Sequence, residues 1–343
     1  MKGKNIKMKK ISIIVPCYNA TPFIERCIDS LLNQTIDLKN LELIFVNDAS
    51  TDDTLNILLQ YEKQYQNDIM VINCEQNGKQ GTARNIGLQY ASCDYIGFID
   101  ADDWIDFTMY EKLYQKAIEF NCDMVGCLCD RLCLSDPNAI TPSKNNGHDR
   151  HFIITNDSER NNYLSKGIGE HVVTKIYKKS IILDNNIFFP EGLIYEDNYW
   201  GCLINYYVNS AYMIDEILYH WYINPDSTYM ERNQIKHFDR LTIEEMKMRV
   251  YKERGLYERF YDQIAKEFIR LYYFNTLHTI FTRFDEFPIS YFQRMQFNIK
   301  KYIPDYATIF NYNDIYKHLI RLIDKNITQA ELNYVQASYL KLS

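Results

Sequence analysis

The segment Tyr95-Ile96-Gly97-Phe98-Ile99-Asp100-Ala101-Asp102-Asp103-Trp104 decides how this chain folds. Tyr95 to Ile99 is apolar enough for a strand covered on both faces, and it stops abruptly in three carboxylates. Acids at the tip of a buried strand need water, a cation or hydrogen-bond donors to offset their desolvation. An Asp-x-Asp pair on one short turn offers hard oxygens suited to Mg²⁺ or Mn²⁺. Such ions are commonly shared between one or two carboxylates and the phosphates of a substrate.

Upstream of this segment the chain alternates strand and helix. Ile11 to Val15 is a continuous apolar run and predicts a first buried strand. Thr21-Pro22 reads as an N-cap followed by proline at the first helical position. Phe23, Ile24, Cys27, Ile28, Leu31 and Leu32 then recur at helical spacing. Leu41 to Val46 is the second strand. Ser50 with Asp53 resembles a capping box, and Leu55, Leu58 and Leu59 form the core face of the next helix. Ile69 to Asn73 is the third strand, and Gly78 and Gly81 precede a helix from Thr82 to Tyr90. This rhythm predicts an α/β fold with a doubly wound, mostly parallel sheet. Ligands of such sheets sit beyond the carboxyl ends of the strands. Pro16-Cys17-Tyr18-Asn19, Asn47-Asp48 and Asp100-Ala101-Asp102 all fall there and are expected on one rim. No G-x-G-x-x-G follows the first strand, which argues against the dinucleotide-binding form of this architecture.

Composition sets outer limits. A chain of 343 residues buries a large core and suggests about two domains. With 29 Tyr and 18 Phe it is not a disordered chain. A net charge of −7 gives no pull toward nucleic acid or an anionic membrane. No run of about 18 apolar residues is present to span a bilayer. The basic start, Met1 to Lys10, leads into a strand pattern rather than a signal-peptide core. Nine Cys without regular spacing suggest reduced thiols and a cytoplasmic location. Cys122, Cys127, Cys129 and Cys133 lack the paired knuckles of a zinc site and are expected as buried thiols.

Four blocks together resemble family 2 glycosyltransferases. They are Ile11-Ser12-Ile13-Ile14-Val15-Pro16-Cys17-Tyr18-Asn19; Val46-Asn47-Asp48-Ala49-Ser50-Thr51-Asp52; Asn77-Gly78 with Ala83-Arg84-Asn85-Ile86-Gly87; and Asp100-Ala101-Asp102-Asp103. Their order and spacing match over roughly residues 9 to 228. Asn47 stands where Asp is frequent and Ala49 where Gly is frequent, and Ala49 narrows the backbone conformations open to that position. The resemblance implies the glycosyltransferase A fold, an inverting mechanism, a nucleotide-sugar donor and a divalent metal, Mn²⁺ or Mg²⁺. It puts donor binding on Pro16, Tyr18, Asn19, Asp48, Asn77, Lys79, Arg84, Asp100 and Ala101. Tyr18 offers a face for the base, Asp48 accepts from a uracil N–H, and Arg84 reaches the base or diphosphate. Lys79 is a further phosphate candidate. Asp102 is the implied principal metal ligand and Asp100 contacts the ribose or the metal, whereas Asp103 is expected to cap the following turn. His220 is a third candidate metal ligand, but a satisfied or surface histidine is the preferred reading.

The second half is expected to carry acceptor chemistry. Tyr195-Glu196-Asp197-Asn198-Tyr199-Trp200 resembles the Glu-Asp segment of these transferases, which makes Asp197 the candidate general base. Glu196 is read as orienting the acceptor or Asp197, or as capping a helix. Trp200 either stacks on a sugar face or belongs to the core. Thr174-Lys175-Ile176-Tyr177 resembles an Asn-Lys-Leu-Tyr segment, with Lys175 positioning the acceptor or the donor phosphate. Asp136 to Asp149 reads as a loop near the acceptor. The division expected is a nucleotide-sugar half at 1–105, an acceptor half at 106–228 and a helical extension at 229–343. Helices are predicted over His237 to Arg254 and Tyr261 to Phe284. Residues 291 to 303, rich in aromatic and basic side chains, suit a membrane surface, a homodimer contact or a cover for the catalytic domain. The leading function is transfer of a sugar, from UDP by preference, to a glycan or lipid-linked glycan in bacterial surface polysaccharide synthesis. The expected setting is the cytoplasm or the inner membrane face. A sugar nucleotidyltransferase is the alternative, though Pro16-Cys17-Tyr18-Asn19 stands where its Gly-rich loop belongs. A non-catalytic sugar-nucleotide-binding relative is the other, against which Asp100, Asp102 and Asp197 argue.

Overall fold

The computed structural model describes residues 9–133, 136–142, 147–166, 168, 171–223, 230–309 and 314–341. The chain divides into two compact units. One comprises residues 1–163, 168–192 and 196–224, and the other 164–167, 193–195 and 225–343.

The first unit is built on one sheet. Strands β1 (Ile11–Cys17), β2 (Leu41–Asn47), β3 (Ile69–Asn73) and β4 (Tyr95–Phe98) stand in the order β3-β2-β1-β4, all parallel. The continuous apolar run predicted for β1 is buried at every position and extends through Cys17. Beyond β4 the sheet becomes mixed. The remaining strands are β5 (Trp104–Ile105), β6 (Met124–Cys133), β7 (Asp136–Pro142), β8 (Arg150–Ile153), β9 (Lys175–Lys178) and β10 (Ser210–Tyr222). The short β9 lies antiparallel between β4 and β6, and β6 pairs parallel with β10. The segment read as a loop from Asp136 to Asp149 holds β7, antiparallel to β6.

Helices α1 (Ile24–Leu32), α2 (Thr54–Gln64), α3 (Lys79–Tyr90), α4 (Met109–Glu119), α5 (Asp157–Ser165), α6 (Lys179–Asp184) and α7 (Glu196–Ile204) complete the α/β pattern. The apolar stripe of α1 buries Ile24, Cys27, Ile28 and Leu31. Both predicted caps are replaced by another device. Helix α1 starts at Ile24 with no side-chain cap. At α2, Asp52 takes the place of the Ser50–Asp53 box: its two carboxylate oxygens accept from the N–H groups of Thr54 and Thr21, both at 3.1 Å. One acid thereby fixes the starts of both helices, a geometry no single-helix pattern announces.

Gly81 lets α3 lie against the chain that precedes α7. A Cβ at this position would approach the Pro190 carbonyl oxygen to 2.4 Å. Asn85, one turn on, clamps the same segment. Its Nδ2 donates to the Phe189 carbonyl and its Oδ1 accepts from the Phe189 N–H, each at 2.9 Å.

The second unit contains α8 (Asp239–Glu253), α9 (Leu256–Arg259), α10 (Tyr261–Phe268), α11 (Thr276–Arg283), α12 (Ile289–Tyr302), α13 (Asp314–Arg321) and α14 (Gln329–Leu340). A π-helical stretch, Ile269–Asn275, joins α10 to α11, so the helix predicted over Tyr261 to Phe284 is present with a changed pitch at its centre. Its core is aromatic, with Phe268, Tyr272, Tyr273, Phe281 and Phe292 buried. Among the described residues no helix is long and apolar enough to cross a membrane.

Candidate active site

The rim forms where the parallel strands end. Pro16 lies within buried β1, and Tyr18 just beyond it is 52% exposed, its ring turned to solvent. Asn19 adopts a left-handed conformation (φ 49°) and ties the loops after β1 and β2 together. Its N–H donates to Ser50 Oγ at 3.0 Å and its Oδ1 accepts from the Thr51 N–H at 2.8 Å. Ala49 also sits in the left-handed region, at φ 57°. A residue with a Cβ pays roughly 1–2 kcal/mol there.

Asp48 is buried at the end of β2. Its Oδ1 accepts from the Gly78 N–H at 2.7 Å, and its backbone carbonyl accepts from Asn77 Nδ2 at 3.2 Å. It therefore holds the start of α3 as well as facing the rim. Burial raises its carboxyl above the usual range, against the backbone donors of Gly78 and Lys79. Lys79 opens α3, exposed and at φ 71°.

Arg84 projects from α3 into the interior, 2% exposed, between two carboxylates. Nη2 lies 2.7 Å from Asp100 Oδ1 and Nη1 2.5 Å from Glu196 Oε1. Its Nε is buried without a hydrogen-bond partner. Burial alone lowers its pKa, but Asp100 and Glu196 more than reverse that and fix the positive charge. Both terminal nitrogens are engaged by acids, so the guanidinium bridges the acidic turn and the start of α7.

Glu196 and Asp197 begin α7. Burial raises Glu196, with Arg84 opposing and Asp197 adding. Burial also raises Asp197, against the attraction of Arg84 and His171. Asp197 is partly exposed, unlike Glu196, and its Oδ1 accepts from the Asn198 N–H at 2.9 Å. A raised, accessible carboxyl is better suited to proton transfer than an ordinary surface carboxylate.

The acidic turn is held from two sides. The Asp103 N–H donates to the Asp100 carbonyl at 3.0 Å. The Asp103 side chain is buried and caps nothing: it accepts from the Tyr219 hydroxyl and, at 2.8 Å, from the Tyr222 N–H. That corrects its predicted role, since it fastens the turn to β10. Asp102 is left with a partly accessible carboxyl, pushed up to about 7 by burial and by Asp100. Such a pair gains from a cation. Asp100 and Asp102 are the kind of donor set that would hold a hard divalent ion such as Mg²⁺ or Mn²⁺ with help from a substrate's phosphates. Among the described residues no cluster of three His, Cys, Asp or Glu could hold an ion without such help. Ala101 is buried between the two acids.

Residues 12–183 match the Glycosyl transferase family 2 description. The chain belongs to glycosyl transferase family 2. It is 29% identical over 273 residues to the uncharacterized glycosyltransferase YibD of Escherichia coli (strain K12), covering 76% of this chain and 78% of YibD. It is 39% identical over 115 residues to the poly(ribitol-phosphate) beta-glucosyltransferase of Bacillus spizizenii, covering 34% of this chain but 18% of that protein. The structure of S. aureus TarS 1-349 in complex with UDP superimposes with a TM-score of 0.68 at 19% identity, covering 97% of this chain and 92% of TarS 1-349. The same TarS segment has also been solved with UDP-GlcNAc. The fold is thus the glycosyltransferase A fold with C-terminal helices.

Three further predicted positions of this family 2 chain have their partners within the protein. Trp200 is fully buried, stacked on Phe189 with ring centroids 5.0 Å apart, and its indole N–H donates to the Ile187 carbonyl. It is core, not a sugar platform. Lys175 is 2% exposed and its Nζ donates to the His171 carbonyl at 2.5 Å, which removes it from the acceptor surface. His220 Nδ1 lies 2.8 Å from Asp130 Oδ1, and its ring stacks on Trp104. The predicted thiols Cys122 and Cys127 are buried, and Cys129 is partly so. Sequence reasoning assigned no role to Arg26, Asn85, Asp130, His171 or Tyr219. Asn85 falls inside one of the family-like blocks; Arg26, Asp130 and Tyr219 meet partners far along the chain, and His171 meets Lys175 within one short segment that carries no recognisable pattern.

Proposed function

We propose that this chain moves a sugar from a UDP-sugar to a hydroxyl of a glycan or lipid-linked glycan, inverting the anomeric carbon, in synthesis of a bacterial surface polysaccharide. The observation that carries the reading is Arg84, which joins Asp100 of the donor rim to Glu196 beside Asp197. Tyr18 stacks on the base, Asp48 accepts from the uracil N–H, and Asn19, Asn77 and Lys79 line the rim. Asp100 and Asp102 would hold a Mg²⁺ or Mn²⁺, which when bound neutralises charge on the departing nucleoside diphosphate. Asp197 accepts the proton of the acceptor hydroxyl as its oxygen bonds to the anomeric carbon and the bond to UDP breaks. Glu196, neutralised by Arg84, keeps a second negative charge from crowding that base. The UDP and UDP-GlcNAc complexes of TarS and the ribitol-phosphate relative support the donor and acceptor classes.

Two measurements test this. Calorimetry should detect UDP binding, and Asp48→Asn should weaken it by about tenfold, the worth of one hydrogen bond. Asn keeps an oxygen for Gly78 but presents an NH₂ to the uracil N–H. Unchanged UDP affinity in the folded variant would remove Asp48 from the pocket. Transfer should also stop on chelation and return with Mn²⁺ or Mg²⁺. Asp102→Asn should lower it by about 10- to 100-fold at any metal concentration. Full activity after exhaustive chelation would end the metal-dependent reading.

A further inference from the structure

Arg26 reaches from α1 to the underside of the acidic turn. Its Nη2 donates to the backbone carbonyl of Asp102 at 2.6 Å. The guanidinium carbon lies 4.0 Å from the centre of the Trp104 ring and 5.2 Å from that of Tyr222. Its Nε is buried without a hydrogen-bond partner. A planar cation between two aromatic faces is held by the rings, which is how it tolerates a desolvated N–H.

Each ring is anchored in turn. Trp104 stacks on His220 at 5.4 Å between ring centroids, and His220 is fixed by Asp130. Tyr222 rests on Phe23 at 5.0 Å, and its N–H donates to Asp103. The Asp102 carbonyl is thereby gripped from α1, while Asp103 is gripped from β10. The Asp102 carboxylate, the group between those grips, is the part of the turn left for a ligand.

We propose that Arg26 is a positioning residue: by fixing the Asp102 carbonyl from within the Trp104–Tyr222 clamp, it aims the Asp102 carboxylate at an ion shared with the donor diphosphate. The inference rests on the metal reading given above. Arg26 touches neither sugar nor nucleotide in this role. It acts as the outer-shell partners of metal ligands do, by restricting a ligand to one orientation. Lysine would carry the charge without the planar fork and would not fill the clamp.

The test is Mn²⁺ affinity measured by calorimetry with saturating UDP, for the unaltered protein, Arg26→Ala and Arg26→Lys. UDP affinity without metal and thermal unfolding are measured in parallel. Both variants should weaken Mn²⁺ binding, Arg26→Ala by about 10- to 100-fold, with metal-free UDP affinity unchanged. Trp104 emission should shift as its cationic neighbour is lost. Unchanged Mn²⁺ affinity in folded Arg26→Ala would overturn the proposal, as would a parallel fall in metal-free UDP affinity, which marks general damage. If Arg26→Ala does not fold, Arg26→Lys decides by the same criteria. An unaltered protein that binds UDP but no Mn²⁺ would instead refute the metal reading itself.

Discussion

Replacing Asp197 with Asn is expected to lower sugar transfer by about 10²–10⁴, the usual worth of a positioned general base, with UDP affinity unchanged. The side chain keeps its size and its oxygen for the Asn198 N–H, and loses only basicity. Because burial raises Asp197, its protonation should produce an acid limb in kcat/KM above the ordinary carboxylate range. Below that limb the base carries a proton and cannot accept another. The limb should vanish in Asp197→Asn. NMR of the product should show inverted configuration. Retained configuration, or near-normal transfer by the variant, would show that Asp197 is not the base of a single displacement.

The second large effect is on stability. Arg84→Ala should destabilise the first unit by about 3–5 kcal/mol, the usual cost of breaking a buried ion pair from one side. Most of that loss belongs to Glu196, whose side chain is 5% exposed, since Asp100 at 25% retains solvent. Arg84→Lys should recover little, because an ammonium cannot present two nitrogens to two carboxylates at this spacing. Adding Glu196→Gln to Arg84→Ala should restore part of the loss by removing the stranded charge. Urea unfolding followed by tryptophan emission measures all three. An unchanged midpoint for Arg84→Ala would mean that the two acids are neutralised by other means.

The parallel half of the sheet was legible because β1, β2 and β3 are apolar runs of strand length bounded by polar turns. The rim residues could be read for the same reason, since each directly follows such a run. Beyond β4 the signal weakens. Four residues, Lys175–Lys178, make a buried antiparallel strand, too short to display a period. Trp200 shows a different limit: placed three residues after Asp197, it looked like part of the site, yet its helix turns it into the core against Phe189. Arg84 could be identified as functional by its block but not by its partners. Nothing local reveals that a basic side chain on α3 will be buried against an acid on α7. Arg26 was invisible as well, because cation–aromatic clamps join side chains from three separate segments.

The bracket made by α3 also bears on the order in which the site assembles. Arg84 meets Asp100 across 16 residues but meets Glu196 across 112. Closing the longer loop costs more chain entropy and is rewarded only when the intervening strands are in place. As a chain leaves the ribosome from its N-terminus, the strands of the nucleotide rim are made before α7, whereas β10, which holds Asp103 through Tyr219 and Tyr222, is made after it. The Arg84 bracket and the acidic turn therefore both wait for the second half of the first unit, and the site closes as one piece rather than end by end.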